Sequence, residues 1–148
     1  MKIIVALALA AAPLAGCGSY ISDPLGPKSE FTAVLSGANE RPSNSSAGHA
    51  EMTAVYRPTT RVLEWRLFFG GLSGPVTWAY FHGPDGVGND DAAIAPINAI
   101  SDGNPRRGGA TLTDAQAADL LAGKWSVNIK TEQFPGGEIR GPMVPKAR

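Results

Sequence analysis

Apolar and polar residues alternate with a period of two through most of the chain beyond residue 30. Phe31, Ala33 and Leu35 share one face of a first segment that ends at Ser36-Gly37. Ala50, Met52, Ala54 and Tyr56 alternate with His49, Glu51, Thr53 and Val55 up to Pro58. Leu63, Trp65, Leu67 and Phe69 alternate with Glu64, Arg66 and Phe68 up to Gly70-Gly71. Successive side chains of a strand point to opposite faces, so each pattern predicts a half-buried β-strand that glycine or proline ends. Val76 to His82, set between Gly74-Pro75 and Gly83-Pro84, is apolar or aromatic on both faces and predicts a central strand covered on both sides. Trp125, Val127 and Ile129 alternate with Ser126, Asn128 and Lys130, Pro135-Gly136-Gly137 makes a turn, and Glu138 to Val144 begins as the last strand. Pro142 lacks an amide hydrogen and must sit at that strand's edge or end it. Trp65, Trp78 and Trp125 all fall within strand patterns and are expected in the core rather than on an exposed aromatic ledge.

One helix interrupts the strands. Thr113 with Gln116 three positions on forms a capping-box pattern, Asp114 suits the positive end of the helix dipole, and Gly123 supplies a left-handed stop, so a helix of about two turns is expected near 114–122. From Asp85 to Gly109 the chain is polar and glycine-rich, with Ile94, Ile97 and Ile100 pinning either a long loop or a short strand to the core. Seven or so short strands with turn signals at steady spacing predict an all-β fold, an antiparallel β-sandwich or flattened barrel.

Composition narrows the function classes. Gly 18 and Pro 12 in 148 residues fit many turns between strands. Lys+Arg 13 against Asp+Glu 13 leaves no basic stripe of the kind that neutralises phosphates, so nucleic acid is not an expected partner. The sole cysteine, Cys17, rules out an internal disulfide.

That cysteine closes Leu14-Ala15-Gly16-Cys17, directly behind an apolar run from Ile3 to Ala12 and a positive Lys2. The layout is that of an export signal, and the run is shorter than the roughly 20 residues needed to cross a bilayer. The segment resembles a bacterial lipoprotein signal. The resemblance implies a signal peptide over 1–16, lipid (palmitate) on Cys17, and a mature protein anchored to the cell envelope. Gly18, rather than aspartate, follows the cysteine, which implies the outer membrane if the organism has one. Residues 17–30 carry two prolines and no periodicity and read as a flexible tether of ~20 Å. The domain follows over 31–145.

Several segments look familiar together. Leu35-Ser36-Gly37-Ala38-Asn39-Glu40-Arg41-Pro42, Gly71-Leu72-Ser73-Gly74, Phe81-His82-Gly83-Pro84, Val127-Asn128-Ile129-Lys130-Thr131 and Pro135-Gly136-Gly137-Glu138-Ile139-Arg140-Gly141 resemble, in order, the CHRD domain, named for its occurrence in chordin. The resemblance implies a β-sandwich of immunoglobulin-like or superoxide-dismutase-like type. Family members often carry a His-x-His pair before Gly-Pro and a further histidine in the Asn-Ile-His-Thr motif. Here those positions hold Tyr80, His82 and Lys130, and a lysine must lose its proton before it binds metal.

The candidate chemistry is correspondingly sparse. With two histidines in the chain and the thiol used by lipid, no cofactor is expected, and His82, Asp85 and Asp90 are weak metal candidates only. The stretch 85–91 does not fit an EF-hand loop. Glu138 and Arg140 alternate around Ile139 and, with Glu40 and Asn128, form a candidate polar cluster that fixes strand register. Two carboxylates can also serve acid–base chemistry, but no Gly-x-Ser-x-Gly turn or phosphate loop stands beside them. The expectation is a non-enzymatic envelope lipoprotein that binds a protein or an extracellular polymer, or serves a structural role. The alternatives are a metal-binding or dismutase-like redox protein and, more weakly, a hydrolase using Glu40 or Glu138.

Overall fold

A computed structural model describes residues 23, 25–84, 93–97 and 104–147, with side chains given for all of these except 93–95. Cys17, Asp85, Asp90, Ile100 and residues 1–16, where a signal peptide is expected, lie outside the described residues. The strands are β1 (Ser29–Ser36), β2 (His49–Arg57), β3 (Val62–Gly70), β4 (Val76–His82), β5 (Ala93–Pro96), β6 (Arg106–Thr111), β7 (Ser126–Thr131), β8 (Ile139–Pro142) and β9 (Val144–Pro145), and the helix α1 spans Asp114–Leu121. All pairings are antiparallel, in the order β5-β4-β7-β8-β1-β2-β3-β6, with β9 also on β1. Among the described residues the all-β fold with one short helix is thus as the alternation and the capping pattern predict.

The sheet curls upon itself. Strands β3 and β4 are five steps apart in the ladder, which in a flat sheet would separate them by roughly 24 Å. Instead the rings of Trp65 on β3 and Phe81 on β4 meet edge to face with centroids 5.0 Å apart, and Phe81 reaches Trp125 at 5.6 Å. The two arms, β1-β2-β3-β6 and β5-β4-β7-β8, thus close over one core. Phe31, Ala33 and Leu35 of β1, Met52 and Tyr56 of β2, Leu63 and Leu67 of β3, and Val127, Ile129 and Ile139 of the other arm all point into it and are buried. Burial of each large side chain contributes about 1.5–3 kcal/mol, which is why the period-two pattern dictates the fold.

The arms join where β8 meets β1. Ser36 pairs with Arg140, and the Val34 carbonyl comes so close to Gly141 that a Cβ there would collide with it. Beyond Pro142, which ends β8, Met143 donates to the Trp125 carbonyl at 2.8 Å and β9 returns to pair with Phe31 and Thr32. The helix forms as its caps predict: Thr113 accepts from the Gln116 amide, and Gln116 accepts from the Thr113 amide. Gly123 takes φ +70° and donates to the Leu120 carbonyl, while Ala117 and Leu120 seat the helix on the core.

Three features depart from the sequence reading. Trp78 is not in the core: it is 50% exposed and stacks on Tyr80, at 5.7 Å with 16° between the planes. Consequently β4, although paired on both edges, is not covered on both faces along its length. Arg106–Thr111 forms an unexpected further strand against β3, whereas between residues 85 and 109 the short-strand alternative is met, Ala93–Pro96 pairing with β4 beside the buried Ile97.

The close approach at Gly141 is directly testable. Because the obstacle is backbone that cannot rotate aside, Gly141→Ala is expected to cost about 1–3 kcal/mol. Gly136, with open space around its Cβ position, serves as control, and Gly136→Ala should shift stability by less than about 1 kcal/mol. Chemical denaturation of both variants checks the contrast; equal losses would show that the β8–β1 junction does not depend on that contact.

Candidate functional site

The alternation of β7 and β8 places apolar and polar residues on opposite faces of one hairpin. Val127, Ile129 and Ile139 enter the core. Asn128 lies opposite Arg140 in the register, and Glu138 precedes the strand with its amide donating to the Ile129 carbonyl at 2.8 Å. The reverse face would be expected to meet solvent, yet Asn128, Lys130, Glu138 and Arg140 are all buried there. The segment after β1, including the 3-10 turn Gly37–Asn39, contributes Glu40, Asn44 and Ser46 to that face, and the β3–β4 loop adds Ser73.

The buried polar groups fall into two sets. In the first, Glu40 accepts from the Asn128 side-chain amide on Oε1 and from Arg140 Nε on Oε2 at 3.3 Å. Only the Nδ2 end of an asparagine can donate, so this contact sets the amide orientation. Arg140 Nη1 also donates to Ser126 Oγ at 3.2 Å, bridging β8 to β7. Gly137, at φ +139°, makes room: a Cβ there would run into Glu40 Oε1 and Asn128 Nδ2.

In the second set the Glu138 carboxylate, fully buried, is filled by four donors. Oε1 accepts from Ser46 Oγ at 2.6 Å and from the Ser73 amide at 2.8 Å, and Oε2 from Thr131 Oγ1 at 2.6 Å and Ser73 Oγ at 2.8 Å. Burial pushes the Glu138 carboxyl pKa upward, but the bonds from Ser46, Thr131 and Ser73 together outweigh it and hold the group below the ordinary glutamate value. Asn44 ties the loop down further, donating to the Glu138 carbonyl at 3.0 Å and accepting from the Ser46 amide at 3.0 Å. Ser46 Oγ in turn accepts from the Gly48 amide at 2.9 Å.

The four residues grouped from sequence are thus divided: Glu40, Asn128 and Arg140 touch one another, whereas Glu138 belongs with Ser46, Ser73 and Thr131. Ser73 and Thr131 lie within the familiar segments quoted above; Asn44 and Ser46 carry no signal beyond being polar residues in a loop. His82 is buried on the face of β4 that also carries Tyr80, their rings 6.0 Å apart, and its strand position pairs with Ser126. Among the described residues no three His, Cys, Asp or Glu side chains converge in a metal-holding group.

Compared with protein-family models, the chain matches the CHRD domain over residues 31–143. The comparisons with curated proteins and with solved structures give no match.

The Glu138 site sets a pH dependence. Because its folded pKa lies below the unfolded one, the stability it contributes is fully present above the ordinary glutamate value of about 4.3 and is lost as pH falls through the depressed folded value. Glu138→Gln, which keeps the shape but gives up charge-assisted bonds, should cost about 1–3 kcal/mol at neutral pH. The gap between wild type and variant should narrow on acidification below that value. Urea denaturation of both proteins across the acid range reads this, and a pH-independent gap would show that the carboxylate charge is not what the donors hold.

Proposed function

The chain belongs to the CHRD domain family, and from that premise we propose that it is a non-enzymatic binding or scaffolding module of the cell envelope, held to a membrane by lipid on Cys17. One observation carries the non-enzymatic part. The most buried carboxylate, Glu138, has both oxygens filled by hydroxyl and amide donors from three other segments, and Glu40 is engaged by Asn128 and Arg140. A general acid or base must reach a proton on a substrate, and carboxylates so engaged serve instead to tie loops to the hairpin. On the outward faces of the two arms large apolar side chains stay exposed, among them Phe68 of β3 at 45% and Trp78 of β4 at 50%. Exposed aromatic groups on a rigid sheet suit recognition of a protein or an extracellular polymer.

The membrane part of the reading rests on Leu14-Ala15-Gly16-Cys17 behind its apolar run. Two or three acyl chains would anchor the protein firmly, since one chain binds only reversibly. Gly18 after the cysteine favours the outer membrane in a diderm host.

Replacing Cys17 with serine tests the anchor. Cys17→Ser is expected to abolish incorporation of labelled palmitate and to move a folded domain out of the membrane fraction, with the thermal transition of the β-fold unchanged. Retention of the variant in membranes would refute lipid anchoring, and loss of the folding transition would mean that the N-terminal segment is part of the folded unit.

A further inference from the structure

We propose that the outward face of β2, β3 and β6 is a binding site for an acidic polysaccharide, in which Arg66 and Arg107 together take the carboxylate of a uronic acid unit. The proposal deepens the reading of the domain as an envelope binding module and rests on it. Arg66 and Arg107 are directly opposite in the β3–β6 register, and both are exposed. Opposed side chains of an antiparallel pair have Cβ atoms about 5 Å apart, and like charges so placed oppose folding. Among the described residues neither arginine forms an ion pair with a carboxylate. The Arg66 guanidinium instead lies 5.5 Å from the centre of the Phe68 ring. Two arginines on opposed positions of one exposed face, neither in an ion pair among the described residues, can bring their guanidinium forks to a shared external carboxylate.

The surroundings favour a sugar acid. The arginines line a groove of about 320 Å³ with Thr53, Val55 and Glu64, over the backbone of Gly108. Gly108 is required there, because a Cβ would strike the indole of Trp65 packed against that strand. The volume is at the lower end for small-ligand sites and suits a single sugar unit. Phe68 offers apolar ring surface for pyranose C–H groups, while Thr53 and Glu64 can bond to hydroxyls. Glu51 and Glu64 lie on the same outward face by alternation, and both are exposed. They would repel a flat anionic surface such as a phospholipid bilayer lying across the whole face, whereas a single sugar chain can set one carboxylate at the arginines and turn its hydroxyls to the glutamates.

Calorimetric titration of the full-length protein in neutral detergent micelles tests the site, with oligogalacturonate, a neutral galactose oligomer of equal length, and micelles doped with phosphatidylglycerol as the three probes. The acidic oligomer should bind, more weakly as salt rises, and the neutral oligomer and the lipid should not. Arg66→Gln and Arg107→Gln should each weaken binding about tenfold or more. Arg66→Lys, which keeps charge but loses the fork, should fall between wild type and Arg66→Gln. Thermal transitions of the glutamine variants should be unchanged or raised, since each relieves the opposed charges, so lost binding will not reflect lost folding. Equal binding of the neutral oligomer, wild-type affinity in the doubly substituted protein, or arginine-dependent binding of phosphatidylglycerol would each overturn the assignment. Absence of oligogalacturonate binding by a protein still anchored through Cys17 overturns this site while leaving the binding-module reading standing, whereas shortening of the oligomer during the titration overturns the non-enzymatic reading instead.

Discussion

Two carboxylates behind the β7–β8 hairpin impose the condition that the rest of this fold must meet. A buried ionised group left unpaired is among the most costly features a protein can carry, so its partners have to arrive together. Glu138 draws its donors from the loop after β1, the β3–β4 loop and β7. Glu40 takes its donors from β7 and β8. Segments nearly 100 residues apart in sequence therefore converge on one face of one hairpin, and a displacement of any of them strands a charge. The hydrophobic core sets the strands' inward faces, but these carboxylates specify how the connecting loops lie on the outward one.

Seen this way, the segments that resemble the CHRD family acquire a physical meaning. Glu40 and Gly37 belong to the first, Ser73 to the second, Asn128 and Thr131 to the fourth, and Gly137, Glu138, Arg140 and Gly141 to the fifth. Each contributes a donor, an acceptor or the missing Cβ that lets two of them approach. The familiar segments thus carry the residues that close the polar network together with core-facing ones such as Leu35, Phe81, Val127 and Ile139.

What alternation encodes was legible, and what depends on third parties was not. The strands β1, β2, β3 and β7 and the capped helix follow from period and capping chemistry, which are local. The burial of Asn128, Glu138 and Arg140 on the hairpin's reverse face comes from a loop whose landing place no period reports, so Asn44 and Ser46 read as ordinary loop residues. Trp78 misled for the converse reason: its position in an apolar run suggests cover that the fold does not supply at that point, where it stacks on Tyr80 with one side open. Strand β6 escaped notice because Arg106-Arg107-Gly108-Gly109 has low strand propensity and no inward apolar face until Ala110; its place is won by Trp65, whose indole needs a glycine opposite.

The same comparison separates two uses of polar residues in this domain. On the β7–β8 arm every named carboxylate is matched by donors from neighbouring segments, at the expense of accessibility. On the β3–β6 arm Arg66 and Arg107 are exposed and set against each other, so that like charges oppose one another across the strand pair, offset in part by the contact of Arg66 with the Phe68 ring. Stability alone would favour a neutral or acidic residue at either position, as the many compatible alternatives on an exposed strand face allow. Like charges opposed on an exposed strand face beside an aromatic ring would be accounted for if, as proposed, they take an anionic ligand from outside the chain.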